Sequence, residues 1–185
     1  MELLFIEISM LILFMLLSAF FSASETALFS LKKSEIHRYS LSIDKREMGI
    51  YALMQSPQKI LITILTGNLF VNLATSELST YMLLQVWDRY GHFISIAIVT
   101  PIIIVVCEIA PKLIAVNFNV AMSRRLYPLI SVFHRLFFPI RILLVGVTDL
   151  LAGLFRLKFS HADITEDELG HAVHIGQRDG VIGSG

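Results

Sequence analysis

Three long apolar runs, at residues 3–29, 58–86 and 93–116, dominate the hydrophobic pattern of the chain. As helices rising 1.5 Å per residue, each is long enough to cross a hydrocarbon core of about 30 Å. Polar positions inside these runs are grouped. Ser18, Ser22, Ser24 and Glu25 fall near the end of the first. Thr63, Thr66, Asn68, Asn72, Thr75, Ser76, Glu77 and Ser79 fill the second, too many for a helix that faces lipid on every side. Glu108 interrupts the third, which also holds Pro101 and Pro111.

The segments between the runs read differently. Residues 34–56 are amphipathic, with Ile36, Tyr39, Ile43, Ile50 and Leu53 spaced for one helical face. This pattern predicts one or two short helices against the membrane, ended by Ser56-Pro57. Trp87 to His92 is a short connection with its Trp and Tyr at headgroup level. Residues 123–158 are apolar enough for a fourth span, but Pro128 and Pro139 break them, Arg135 and Arg141 lie inside, and basic residues flank both ends. A helix with both ends on one side lies in the interface. We therefore expect a juxtamembrane belt helix, kinked near Pro139. After Ser160, Thr165 and Glu168 fit a capping box that opens a soluble helix.

The predicted fold is an all-α membrane protein with three transmembrane helices, an interfacial juxtamembrane belt helix and short cytoplasmic helices. Residues 1–160 form the transmembrane domain with its belt, and 161–182 an acidic cytoplasmic connector helix. Lys and Arg concentrate in 32–59 and 112–158, which places the N-terminus outside and the C-terminus in the cytoplasm of a multi-pass cell-membrane protein.

Composition sharpens this picture. Of 185 residues, 55% are hydrophobic and 16% charged, and the net charge is zero, so nothing points to a nucleic-acid partner. The single cysteine, Cys107, precludes an intrachain disulfide, and its simplest role is packing. No nucleophile–base arrangement indicates an enzyme. His171 and His174 read as a solvated pair.

Counting along the helices from the basic side places the polar groups of all three runs at one depth, roughly 9–18 Å into the membrane. Ser18 and Ser22, and likewise Asn68, Asn72 and Ser76, share i, i+4 spacing and so one helix face. Ser24 points away from Ser22, so Ser24 and Glu25 are expected to face elsewhere and fix helix packing. A carboxylate inside a span costs about 2.5–3.5 kcal/mol and needs a partner or a wet cavity. For Glu108 there are two solutions. One is an ion pair with Lys112 on the same helix, the other a cation site. Singly, the Ser and Asn residues also serve as glue between helices. Glu77, in the outer half of its helix, is a candidate for helping ions leave. The candidate ligands are all oxygens: Ser18, Ser22, Asn68, Asn72, Ser76, Glu108 and the carbonyl of Cys107, which Pro111 deprives of its helical donor. Such a set suits Mg2+, Ca2+ or Na+ and argues against zinc or copper.

Taken in order, Phe20 to Leu28, Gly67-Asn68 with Asn72, Glu108 to Lys112 and Ile164 to Leu169 resemble the cyclin M / CorC family of magnesium transporters. The resemblance implies a homodimer in the lipid bilayer that exports Mg2+, driven by Na+ entry. Ions would be bound by Ser, Asn and Glu residues in an inward-facing cavity, with Gly67 part of the matching motif. It also implies a pair of CBS modules after the acidic helix, absent from this chain, through which alone ATP would act. The alternative is a membrane anchor or ion sensor that positions a cytoplasmic regulatory module without transport.

Overall fold

A computed structural model describes residues 2–87 and 90–154, and all regular structure among them is helical. We number the helices α1 (Glu2–Phe29), α2 (Lys33–Ser40), α3 (Lys45–Met54), α4 (Pro57–Val86), α5 (Gly91–Asn117), α6 (Asn119–Leu136) and α7 (Phe138–Leu154). Among the described residues, α1, α4 and α5 are each long and apolar enough to cross a bilayer, within a residue or two of the expected runs, and α6 with the first part of α7 passes only as a bent pair. The residues up to Val145 form one compact unit, and those from Gly146 belong to a second. The expected connector helix, 161–182, lies outside the described residues.

Helix α1 is the central strut, packed along α4 on one side and against the inner part of α5 and α6 on the other. Its seam with α4 depends on a close approach. A Cβ on Gly67 would lie 2.4 Å from Phe21 Cζ, so glycine makes room for the tip of the ring against α4. Its seam with α5 is made of small residues, Ala23, Ala27 and Ala115, which permit near contact of two backbones.

The buried core lies toward the basic end, where α1 and α4 meet α2, α3 and α6. Phe21, Leu28, Tyr39, Ile50, Ile60, Ile64 and Ile130 fill it, with Phe20, Phe133 and Phe137 packed on the same cluster. The Phe21 and Phe133 rings meet edge to face at 4.8 Å between centroids, a favoured aromatic geometry. Asp44 caps α3 by accepting from the Arg46 amide, and Arg124 of α6 reaches Asp44 at 3.1 Å and Glu47 at 3.4 Å. The short helices are thereby held to α6.

Two expectations need correcting. Ile43 was counted in the apolar face of 34–56 but is 96% exposed, because it lies in the turn between α2 and α3, where helical periodicity no longer applies. Pro128 does not break the belt. It sits inside continuous α6, and the break comes at Phe137, where α6 and α7 diverge by 68°. Pro139 in the first turn of α7 cannot donate to the carbonyl four residues back, so the helix stops and restarts just before it.

Candidate cation site

Ser18 and Asn72 meet where α1 and α4 run antiparallel, and Ser18 Oγ donates to Asn72 Oδ1 at 2.5 Å. Beside them is a cavity of about 90 Å3, lined by Ser18, Asn72, Ser76, Thr100, Ile103, Ile104 and Glu108. At roughly 10–15 Å3 per water, that is room for several waters or for a partly hydrated ion. Four of the expected residues (Ser18, Asn72, Ser76 and Glu108) are thus brought together from three helices.

The antiparallel register carries the set one turn further toward the basic end. Residues four after Ser18 and four before Asn72 are Ser22 and Asn68. Ser22 Oγ and Asn68 Oδ1 are both buried and have no hydrogen-bond partner among the described residues. An unpaired buried oxygen is costly unless something fills its coordination. Neither residue lines the cavity. Gly67 does not line it either, and its place is explained by the Phe21 ring. Cys107 is 1% exposed and also lies off the cavity.

Helix α5 answers its two prolines with wide turns. Ser95–Val99 precedes Thr100-Pro101 and Ile104–Ile109 precedes Ala110-Pro111, and both segments are π-helical. The Thr100 amide donates to the Ser95 carbonyl and the Ala110 amide to that of Val105, five residues back. Such π turns are rare and concentrate at functional sites. The wider turn keeps Thr100, Ile104 and Glu108, spaced by four, on the cavity side. Thr100 was not foreseen. Its sequence signals are the proline that follows it and its spacing of eight from Glu108, the same that separates Asn68 from Ser76.

Glu108 is also the residue at which the two sequence alternatives coexist. It lines the cavity, and its Oε1 lies 3.2 Å from Lys112 Nζ. Lys112 in turn lies 3.3 Å from Glu25 Oε2 on α1. Glu25 does not line the cavity, and its ion pair with Lys112 joins α1 to α5, in keeping with the packing role expected of it. Ser24 is fully buried and donates to the Phe20 carbonyl at 2.6 Å, within its own helix. Glu77 is exposed on the open face of α4, with Leu73 and Tyr81.

Around the cavity the donors are hydroxyl, amide and carboxylate oxygens. Among the described residues no group of three or more His, Cys, Asp or Glu side chains converges. One carboxylate and several neutral oxygens suit a hard cation held weakly.

A bundle of three membrane-length helices with a small cavity between them defines a multi-pass membrane domain. The chain belongs to the cyclin M transmembrane N-terminal domain family, which matches residues 8–185. It is similar to the UPF0053 inner membrane protein YfjD of Escherichia coli (strain K12), at 25% identity over 85% of this chain and 38% of that protein. A UPF0053 protein of Haemophilus influenzae is 29% identical over 80% of this chain and 35% of its own length. A chloroplastic DUF21 domain-containing protein of Arabidopsis thaliana is 27% identical over 83% and 23%. The chain thus spans less than two fifths of the length of these relatives.

Proposed function

We propose that this domain carries Mg2+ across the membrane, outward from the cytoplasm, with the cavity between α1, α4 and α5 as its ion site. The observation that carries this reading is the convergence of Ser18, Asn72, Ser76, Thr100 and Glu108 on one cavity. Membership of the cyclin M family favours Mg2+ among the hard cations. The residues lining the cavity are the primary ligands, with Ser22 and Asn68, one turn nearer the basic end, as the next oxygens on the path. The basic end faces the cytoplasm, in keeping with the distribution of Lys and Arg.

Export of a divalent ion against an inside-negative potential costs about 4.6 kcal/mol at 100 mV. Entry of Na+ down its gradient is the coupling reaction that fits a site of oxygen ligands. A homodimer fits the exposed Glu77. A carboxylate on an open face of a span needs cover, and a second copy of α4 supplies it. In proteoliposomes, Mg2+ flux is expected to appear with an opposing Na+ gradient and to collapse without one. Flux that ignores the gradient removes the Na+ coupling, and no flux under any gradient favours the anchor or sensor reading. The latter draws support from the Glu108–Lys112 pair, which satisfies the carboxylate without any ion.

A further inference from the structure

The ion pairs joining Glu25, Lys112 and Glu108 reach beyond the site described above. Lys112 Nζ lies 3.2 Å from Glu108 Oε1 and 3.3 Å from Glu25 Oε2. Glu108 lines the cavity, whereas Glu25 and Lys112 do not. Lys112 follows Glu108 by one turn toward the basic end, and Glu25 is on α1. One ammonium therefore stands between a carboxylate that faces the cavity and another, on a different helix, that does not. All three side chains are partly exposed, so none is locked by packing. A lysine on its flexible stem that already touches both carboxylates needs only side-chain rotation to favour either.

We propose that Lys112 is a tethered counter-cation, which holds Glu108 while the site is empty and passes to Glu25 when a divalent cation enters. This rests on Glu108 being a ligand of the transported ion. In the empty site Lys112 spares the membrane an unpaired carboxylate. A divalent cation on the same carboxylate repels the ammonium with twice the force of a single charge. Glu25 then receives it, so no charged group is stranded in either state. The affinity for the ion is set by competition with Lys112 and stays low enough for the ion to leave.

A double-mutant cycle on Mg2+ affinity, measured by calorimetry on the detergent-purified protein, tests this. Lys112→Gln is expected to tighten binding about three- to tenfold, the scale of a partly exposed ion pair opposing a divalent ion. Glu25→Gln is expected to weaken it by a similar factor, because Lys112 loses its second partner. In the Lys112→Gln background, Glu25→Gln is expected to do nothing further. If Glu25→Gln weakens binding by the same factor in both backgrounds, the charges act as an additive field and the counter-cation is overturned. Unchanged affinity in Lys112→Gln overturns it as well. Lys112→Met serves in place of the glutamine variant if a thermal melt shows the latter unfolded. Glu108→Gln separates the two levels. Binding that survives it sinks the site itself, whereas binding lost with Glu108→Gln but an additive cycle sinks only the role of Lys112.

Discussion

Ser18 Oγ donates to Asn72 Oδ1 across 2.5 Å, and this one contact ties α1 to α4 at the depth of the cavity. The amide oxygen of Asn72 is already oriented by that bond, while its remaining lone pair can face an ion. Asn72→Ala removes the oriented oxygen and leaves Ser18 to find another acceptor. Loss of about 1.5–3 kcal/mol is usual for a hydrogen-bond-strength contact to a charge. Mg2+ affinity is therefore expected to fall about ten- to a hundredfold, read by calorimetry. Ser18→Ala, which spares the amide, is expected to cost less than Asn72→Ala.

Thr100 gives a second prediction, since it was found only in the structure. Thr100 lines the cavity, and Thr100→Val keeps its shape while removing its hydroxyl. That hydroxyl also donates to the Ser95 carbonyl at 3.1 Å, beside the π segment. Mg2+ binding is expected to weaken about three- to tenfold, with the thermal midpoint nearly unchanged, because the valine packs against the same neighbours. A variant whose midpoint falls steeply while binding is normal would assign Thr100 to the helix and not to the ion.

Gly67 is predicted to matter through packing. Its missing Cβ makes room for the Phe21 ring, so Gly67→Ala forces ring or helix to shift. Overpacking of this kind costs about 1–3 kcal/mol. Gly146, which has nothing within 4 Å of its virtual Cβ, is the control. Gly146→Ala is expected to leave stability unchanged or raise it by about 0.5–1 kcal/mol, as for a helical glycine with free space. Thermal melts in detergent are expected to show a lowered midpoint for Gly67→Ala and no lowering for Gly146→Ala.

Acid should loosen the short helices first. The Arg46 amide, and with it the Arg124 guanidinium, holds the Asp44 carboxyl below its ordinary value of 3.8. The folded value is below the unfolded one, so the unfolded chain binds more protons between them, and stability falls as pH falls through that window. Above about pH 4 the contribution is complete. Hydrogen exchange of α3 is expected to rise as pH falls below this value, after correction for intrinsic rates, and Asp44→Asn is expected to flatten that rise.

The spans were legible in the sequence because lipid demands long apolar helices, and the three runs match α1, α4 and α5 closely. Ser18, Asn72, Ser76 and Glu108 were legible because i, i+4 spacing and depth counting need only an ideal helix. Thr100 stands eight residues before Glu108, as Asn68 does before Ser76, and was passed over because its hydroxyl stands alone in an apolar run. The two π segments bring it closer to the phase of Glu108 than an ideal helix would. That Glu25 stands off the cavity was legible too, but its partner Lys112 was not, because a sequence does not show how far a lysine on another helix reaches. The kink expected near Pro139 falls at Phe137, just ahead of that proline, whereas Pro128, read as a second break, is accommodated within α6.

The most direct test of the central claim is an experimental structure of the protein in saturating Mg2+. Our account predicts density for an ion in the cavity between Ser18, Asn72 and Glu108, with direct oxygen contacts near about 2.0–2.1 Å or bridging waters between. Lys112 should then lie on Glu25 alone. A cavity holding only water, with Lys112 still bonded to Glu108, would contradict it.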